Sequence, residues 1–182
     1  MFLARASEYL RINSQSGKGG VAYILEQELG LQLPRWLQTE FSLTVQRLAE
    51  QRCQEISSVE LLVLFKENYL QAESRYQLVN FSIEHKQQDV LHACIKTATD
   101  EINIMGTGEG AMTAFVNALK NQWARKIEIV HYDEHALTTG TESEAVCYIQ
   151  LNDNGVLKTG VACHKDIVSA SLNAVLKSMS VR

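Results

Sequence analysis

The run Thr113-Ala114-Phe115-Val116-Asn117-Ala118-Leu119 returns, in kind, as Ser169-Ala170-Ser171-Leu172-Asn173-Ala174-Val175, fifty-six positions later. Seven residues alone prove little. Their context carries more, because each run closes the same series of patterns. Strand-like stretches at Tyr76–Ile83, Val90–Ile95 and Ile102–Met105 precede a helical stretch from Met112 to Trp123. Lys126–Tyr132, Ala145–Leu151 and Val156–Cys163 then alternate with a period of two, and a helix follows from Asp166 or Ser169 to Met179. Asn152-Asp153-Asn154-Gly155 has the composition of a hairpin turn. The pattern predicts a duplicated βββα domain over residues 73–182, with units at about 75–124 and 126–181. A three-stranded sheet with one helix cannot bury its apolar face alone, so the two units must share a core.

The first 72 residues read differently. Ser14-Gln15-Ser16-Gly17-Lys18-Gly19-Gly20 is a turn or loop after a weakly alternating Tyr9–Ile12. Val21, Ile24, Leu25 and Leu29 fall at helical spacing, with Gly30 as the stop. Pro34 opens an amphipathic helix to Arg52 carrying Leu37, Phe41, Val45 and Leu48. Ser57 or Ser58 caps a third helix, with Glu60 in its first turn. The fold class is therefore α+β: a small helical linker subdomain over 1–72, then the duplicated unit.

Composition removes several functions. Seventeen basic residues against 21 acidic ones give a net charge of −4 with no basic run, which disfavours a nucleic-acid binder. No stretch reaches the ~18–20 apolar residues of a membrane span. Met1-Phe2-Leu3-Ala4-Arg5 lacks the basic and apolar regions of a secretory leader. The four cysteines, Cys53, Cys94, Cys147 and Cys163, are scattered without a CxxC, as for reduced thiols in a cytoplasm. A (β/α)8 barrel, at ~250 residues, does not fit in 182.

Two glycine motifs invite phosphate chemistry. Around Gly17-Lys18-Gly19-Gly20, a phosphate loop would need Ser or Thr after the lysine and an earlier glycine where Ile12 stands. Gly106-x-Gly108-x-Gly110, with Asp133 farther on, outlines a dinucleotide fingerprint. Against it, three short strands in hairpin-like succession suggest antiparallel pairing. A tight strand-to-helix turn is the plain alternative. A helix N-terminus behind glycines also attracts a carboxylate as readily as a phosphate. His131, Asp133 and His135 would share one strand face, but lack a third ligand pair for a metal. Cys163 and His164 are adjacent on a strand and face opposite ways, so they form no dyad.

Arg11-Ile12-Asn13-Ser14-Gln15-Ser16-Gly17-Lys18-Gly19-Gly20-Val21-Ala22-Tyr23-Ile24-Leu25-Glu26 closely resembles a segment of the long-type 2-isopropylmalate synthase family. Gly106-Thr107-Gly108-Glu109-Gly110 with Ala114-Phe115-Val116-Asn117-Ala118-Leu119, the run Tyr132-x-Glu134-His135-Ala136, and Ala170-Ser171-Leu172 are similar to its later motifs. The resemblance covers about Tyr9 to the end, the part of that family that follows its catalytic barrel. It implies a linker subdomain and a leucine-sensing regulatory domain. The condensation of acetyl-CoA with 2-oxoisovalerate, and its divalent metal, would belong to the barrel. No catalytic residue, metal ligand or cofactor is then expected in this chain.

The resemblance further implies a cytoplasmic homodimer that binds leucine or a related amino acid for feedback inhibition. Carried over by motif, Gly108, Gly110, Met112 and Thr113 would line one side of the pocket and present backbone N–H groups. Ile129, Tyr132 and Ala136 would line another, Cys163 would close it, and Tyr23 would touch a barrel. Burying about four carbons of an isobutyl group contributes ~2–3 kcal/mol, at ~0.8 per carbon. Ala111 stands where the family has proline. Glu109, Thr113 and His164 also depart from its pattern and bear on affinity and effector identity. Two other readings stay open: a small dinucleotide-binding enzyme using the Gly106–Gly108 turn, and a dimerisation module that has lost its sensing.

Overall fold

The computed structural model describes residues 11–12, 18–137 and 143–180. The chain divides at Gln71/Ala72 into two compact units. In the first, a short antiparallel pair joins β1 (Arg11–Ile12) to β2 (Ile56–Ser57). Helices α1 (Lys18–Leu29), α2 (Arg35–Arg52) and α3 (Ser58–Phe65) build the rest. Helix α1 takes in Gly19 and Gly20, which sequence composition assigns to a loop; Ser14–Gly17 lie outside the described residues. Gly30, at φ 68°, ends it as expected, with the Gly30 and Leu31 amides turning back to the Glu26 and Leu25 carbonyls.

The other helix signals hold as well. Pro34 is the N-cap of α2. Ser57 and Glu60 form a reciprocal capping box on α3. Helix α3 widens into a π-helical turn at Lys66–Leu70, which brings Tyr69 onto Phe41 and Phe65 at ring-centroid distances of 5.8 and 4.9 Å. The Tyr69 hydroxyl donates to Glu40 Oε1 at 2.9 Å, and burial pushes the phenol well above its ordinary pKa.

The second unit is the predicted duplication. Strands β3 (Gln77–Glu84), β4 (Asp89–Lys96) and β5 (Glu101–Gly108) form one antiparallel sheet, followed by α4 (Ala111–Trp123). Strands β6 (Ile127–Ala136), β7 (Ala145–Asp153) and β8 (Val156–His164) form the other, followed by α5 (Ile167–Ser180). The first strand of each sheet carries a bulge, between Leu78 and Asn80 and between Ile129 and His131. The β7–β8 hairpin turns on Asn154 and Gly155, at φ 53° and 91°, the left-handed pair that a two-residue turn of this kind requires.

Each sheet turns one face inward. Leu91, Ala93, Ile95 and Ile104 from the first sheet, and Cys147, Ile149, Leu151 and Ala162 from the second, share one core with Phe115, Leu119, Leu172 and Val175 of the helices. A buried carboxylate closes the far end. Asp153 accepts from Arg125 Nε at 3.0 Å, pairs with the same guanidinium through a second nitrogen, and has Lys158 Nζ at 3.4 Å.

This topology overturns the dinucleotide reading. All described strand pairs are antiparallel, so no wound parallel sheet places a nucleotide on the glycines. Gly106 and Gly108 are not turn residues either: they are the last inward positions of β5. A Cβ on Gly106 would lie 2.2 Å from the Ala114 carbonyl oxygen, and one on Gly108 2.6 Å from the Ala114 nitrogen. Helix α4 occupies the space a side chain would need. Gly160 on β8 serves α5 in the same way, 2.0 Å from the Ala174 oxygen.

Candidate ligand-binding site

The N-termini of α4 and α5 meet over the inner face of β6 and leave a cleft of about 180 Å³. Ala111 and Met112 form one wall. Ile167, Val168, Ser171 and Leu172 form the opposite one, and Tyr132 and Glu134 rise from the strand between them. A larger hollow, about 410 Å³, lies at Gln54, Glu55, Ser57 and Glu60 in the first unit. All four of its lining residues are polar types, and its capping carboxylate is already used: Glu60 accepts from Ser57 and pairs with Arg52 at 3.1 Å. The smaller, mostly apolar cleft is the better ligand site.

The two helix ends differ in one respect that matters chemically. Asp166 precedes α5 and accepts from the Ser169 amide at 2.8 Å and its hydroxyl at 2.6 Å, which holds the carboxyl below its ordinary pKa. The position fifty-six residues earlier is Gly110, at φ 90° and ψ 158°, with no side chain to cap α4. Only glycine adopts that backbone at no steric cost. The first-turn amides of α4 therefore lack a side-chain cap, and they carry the positive end of the helix dipole.

Tyr132 and Glu134 supply the polar floor. The Tyr132 hydroxyl donates to Glu134 Oε2 and lies 3.2 Å from Ser171 Oγ, whose own proton goes to the Ile167 carbonyl at 2.9 Å. Partial burial, then the Glu134 carboxylate, push the phenol up to about 12. Cys147 is the cross-strand neighbour of Glu134 and fully buried, so its thiol also rises to about 12. Among the described residues, no group of three or more His, Cys, Asp and Glu side chains is placed to hold a metal ion.

Of the residues singled out in the sequence, Met112 and Tyr132 line the cleft. Gly110 shapes its rim. Gly108 and Thr113 pack on each other just behind it. Ile129 lies deeper on the same strand, against the core. Cys163 pairs across β7 with Val146 and shares a row with His135, on the sheet face opposite Tyr132. His164 accepts from the Asp166 amide through Nδ1 at 3.0 Å and so shapes the turn into α5. Tyr23 is 55% exposed on α1.

Sequence reasoning gave no site role to the α5 wall or to Glu134, although Glu134, Ser171 and Leu172 stand in motifs it singled out. The repeat held the signal: at an offset of fifty-six, Ile167 and Val168 are the partners of Ala111 and Met112. The same symmetry shows what is special about β6. Counted from the two bulges, at positions 79 and 130, Tyr132 and Glu134 correspond to Phe81 and Ile83 on β3, both packed on the core. One repeat carries polar groups where the other is apolar.

The family described as the LeuA allosteric (dimerisation) domain matches residues 55–181. Among similar proteins, the 2-isopropylmalate synthase of Rhodospirillum rubrum is 40% identical over 172 residues, covering 92% of this chain and 31% of that protein. The 2-isopropylmalate synthase of Clostridium acetobutylicum is 36% identical over 180 residues, or 95% and 32%. That of Saccharomyces cerevisiae is 36% identical over 182 residues, or 94% and 29%. The chain spans about a third of the length of the curated relatives it matches.

Proposed function

The chain belongs to the LeuA allosteric (dimerisation) domain family, and on that premise we propose that it is the regulatory region of a 2-isopropylmalate synthase, with leucine as the feedback effector held in the cleft between the two repeats. The observation that carries this reading is the uncapped N-terminus of α4 at the rim of a mostly apolar cleft. An α-carboxylate suits the free amides of α4. An isobutyl group suits Met112, Ile167, Val168 and Leu172. The charged and polar end of the ligand then meets Tyr132 and Glu134.

In this reading the duplicated domain forms a homodimer in the cytoplasm and the helical unit links it to a catalytic barrel, which Tyr23 contacts. Leucine acts by favouring one arrangement of that linker. A coupling of ~1–3 kcal/mol changes activity several-fold or more.

Titration calorimetry tests the reading. Leucine should give saturable heat with one site per chain, and Met112→Trp, which fills the cleft, should abolish it while the circular dichroism spectrum stays unchanged. A titration silent with leucine overturns the proposal. If light scattering still shows a stable dimer, dimerisation alone remains.

A further inference from the structure

Resting on the cleft reading above, we propose that Glu134 makes the site selective for an amino acid over the 2-oxo acid of the same carbon skeleton. Among the residues lining the cleft, five are apolar, two are hydroxyls and one is charged: Glu134. Its Oε2 accepts from Tyr132, while Oε1 has no partner among the described residues and no basic side chain pairs with the carboxylate.

Its neighbours on the same face cannot compensate the charge. Tyr132 and the Cys147 thiol are neutral over the physiological range, and Ala136 carries no polar group. The cleft therefore presents one fixed negative charge beside apolar walls and, at its rim, the positive end of a helix. That is the complement of a zwitterion with a branched side chain.

The fold does not demand a carboxylate at this position. Ile83 stands at the equivalent point of β3, packed against the core. Glu134 is exposed and not committed to the core, so its carboxylate is available to a ligand in the cleft. Replacing the α-ammonium of a ligand by a carbonyl leaves its carboxylate and hydrocarbon unchanged. It turns three donors into one acceptor facing another acceptor, and the Glu134 charge is then desolvated without a partner. Selectivity of this kind lets a sensor read an amino acid in the presence of its own oxo acid.

The test compares leucine with 4-methyl-2-oxopentanoate on the wild-type chain and on Glu134→Gln, a variant that still accepts from Tyr132. On the wild type, the oxo acid should neither give heat nor displace leucine. In Glu134→Gln, leucine affinity should fall about 10- to 100-fold, the worth of one charge-assisted hydrogen bond, and the oxo acid should begin to compete. Equal leucine affinity in the two chains, or displacement of leucine by the oxo acid from the wild type, overturns the role of Glu134 and leaves the leucine site standing. Failure of leucine to bind the wild type overturns both. Should Glu134→Gln not fold, the wild-type competition alone decides.

Discussion

Replacing Gly160 by alanine adds one methyl group where the structure has no room for it. The new Cβ would sit 2.0 Å from the Ala174 carbonyl oxygen and 2.6 Å from the Ser178 nitrogen. Ordinary contact begins at 3.4 Å, so strand and helix must part by about 1.4 Å along that line. Both obstacles are backbone, and no side chain can swing aside. Helix α5 meets the sheet and α4 through Ala170, Leu172, Ala174, Val175, Leu176 and Met179. A gap of 0.5–1 Å forfeits a quarter to a half of each dispersion contact. Overpacking costs typically ~1–3 kcal/mol where side chains can yield, and here the cost should reach the top of that range, ~3 kcal/mol. For a chain of this size, at ~2–4 °C per kcal/mol, the melting temperature should fall by ~6–12 °C. Scanning calorimetry of the wild type and Gly160→Ala measures it. A fall of under 2 °C would show that β8 and α5 are not packed backbone to backbone, and the close-approach argument for Gly106 would fail with it.

Other expectations follow from the same structure. Gly19→Ala, in open space within α1, should stabilise the chain by ~0.5–1 kcal/mol in urea titrations. Asp153→Ala removes the buried partner of Arg125 and Lys158 and should cost ~3 kcal/mol in the same assay, with little salt dependence. Ser57→Ala breaks the capping box of α3 and should cost ~1 kcal/mol. Cys147 is raised from an ordinary value of 9.0 to about 12. The unfolded thiol ionises first, so its contribution is complete below pH 9 and is lost between pH 9 and 12. Cys147→Ala should therefore flatten the decline in stability over that interval, measured by chemical denaturation at each pH.

The caps and the hairpin turn were legible because each is local, and the duplication because its pattern returns at a fixed offset. Ser57 with Glu60 and Asn154 with Gly155 report their geometry within four residues. The glycine motif was harder. Gly106 and Gly108 look like turn residues in sequence, yet they are glycine because α4 lies on them, a fact set by a helix not yet formed when the strand is read. The cleft was half visible for a related reason. Met112 and Tyr132 sit in recognisable motifs, whereas Ile167 and Val168 reach the site only through the pseudo-symmetry of the two repeats. Glu134 lies in a run of exposed β6 residues, where alternation cannot separate a solvated carboxylate from one beside a cleft.

The contrast between Gly110 and Asp166 depends on the two repeats being joined in one polypeptide. In a pair of identical single repeats, any residue placed at one helix start would stand at both, so an open end could never face a closed one. Two copies in one polypeptide are free of that constraint. Each copy then carries its own residue at the helix start, one left open and the other capped.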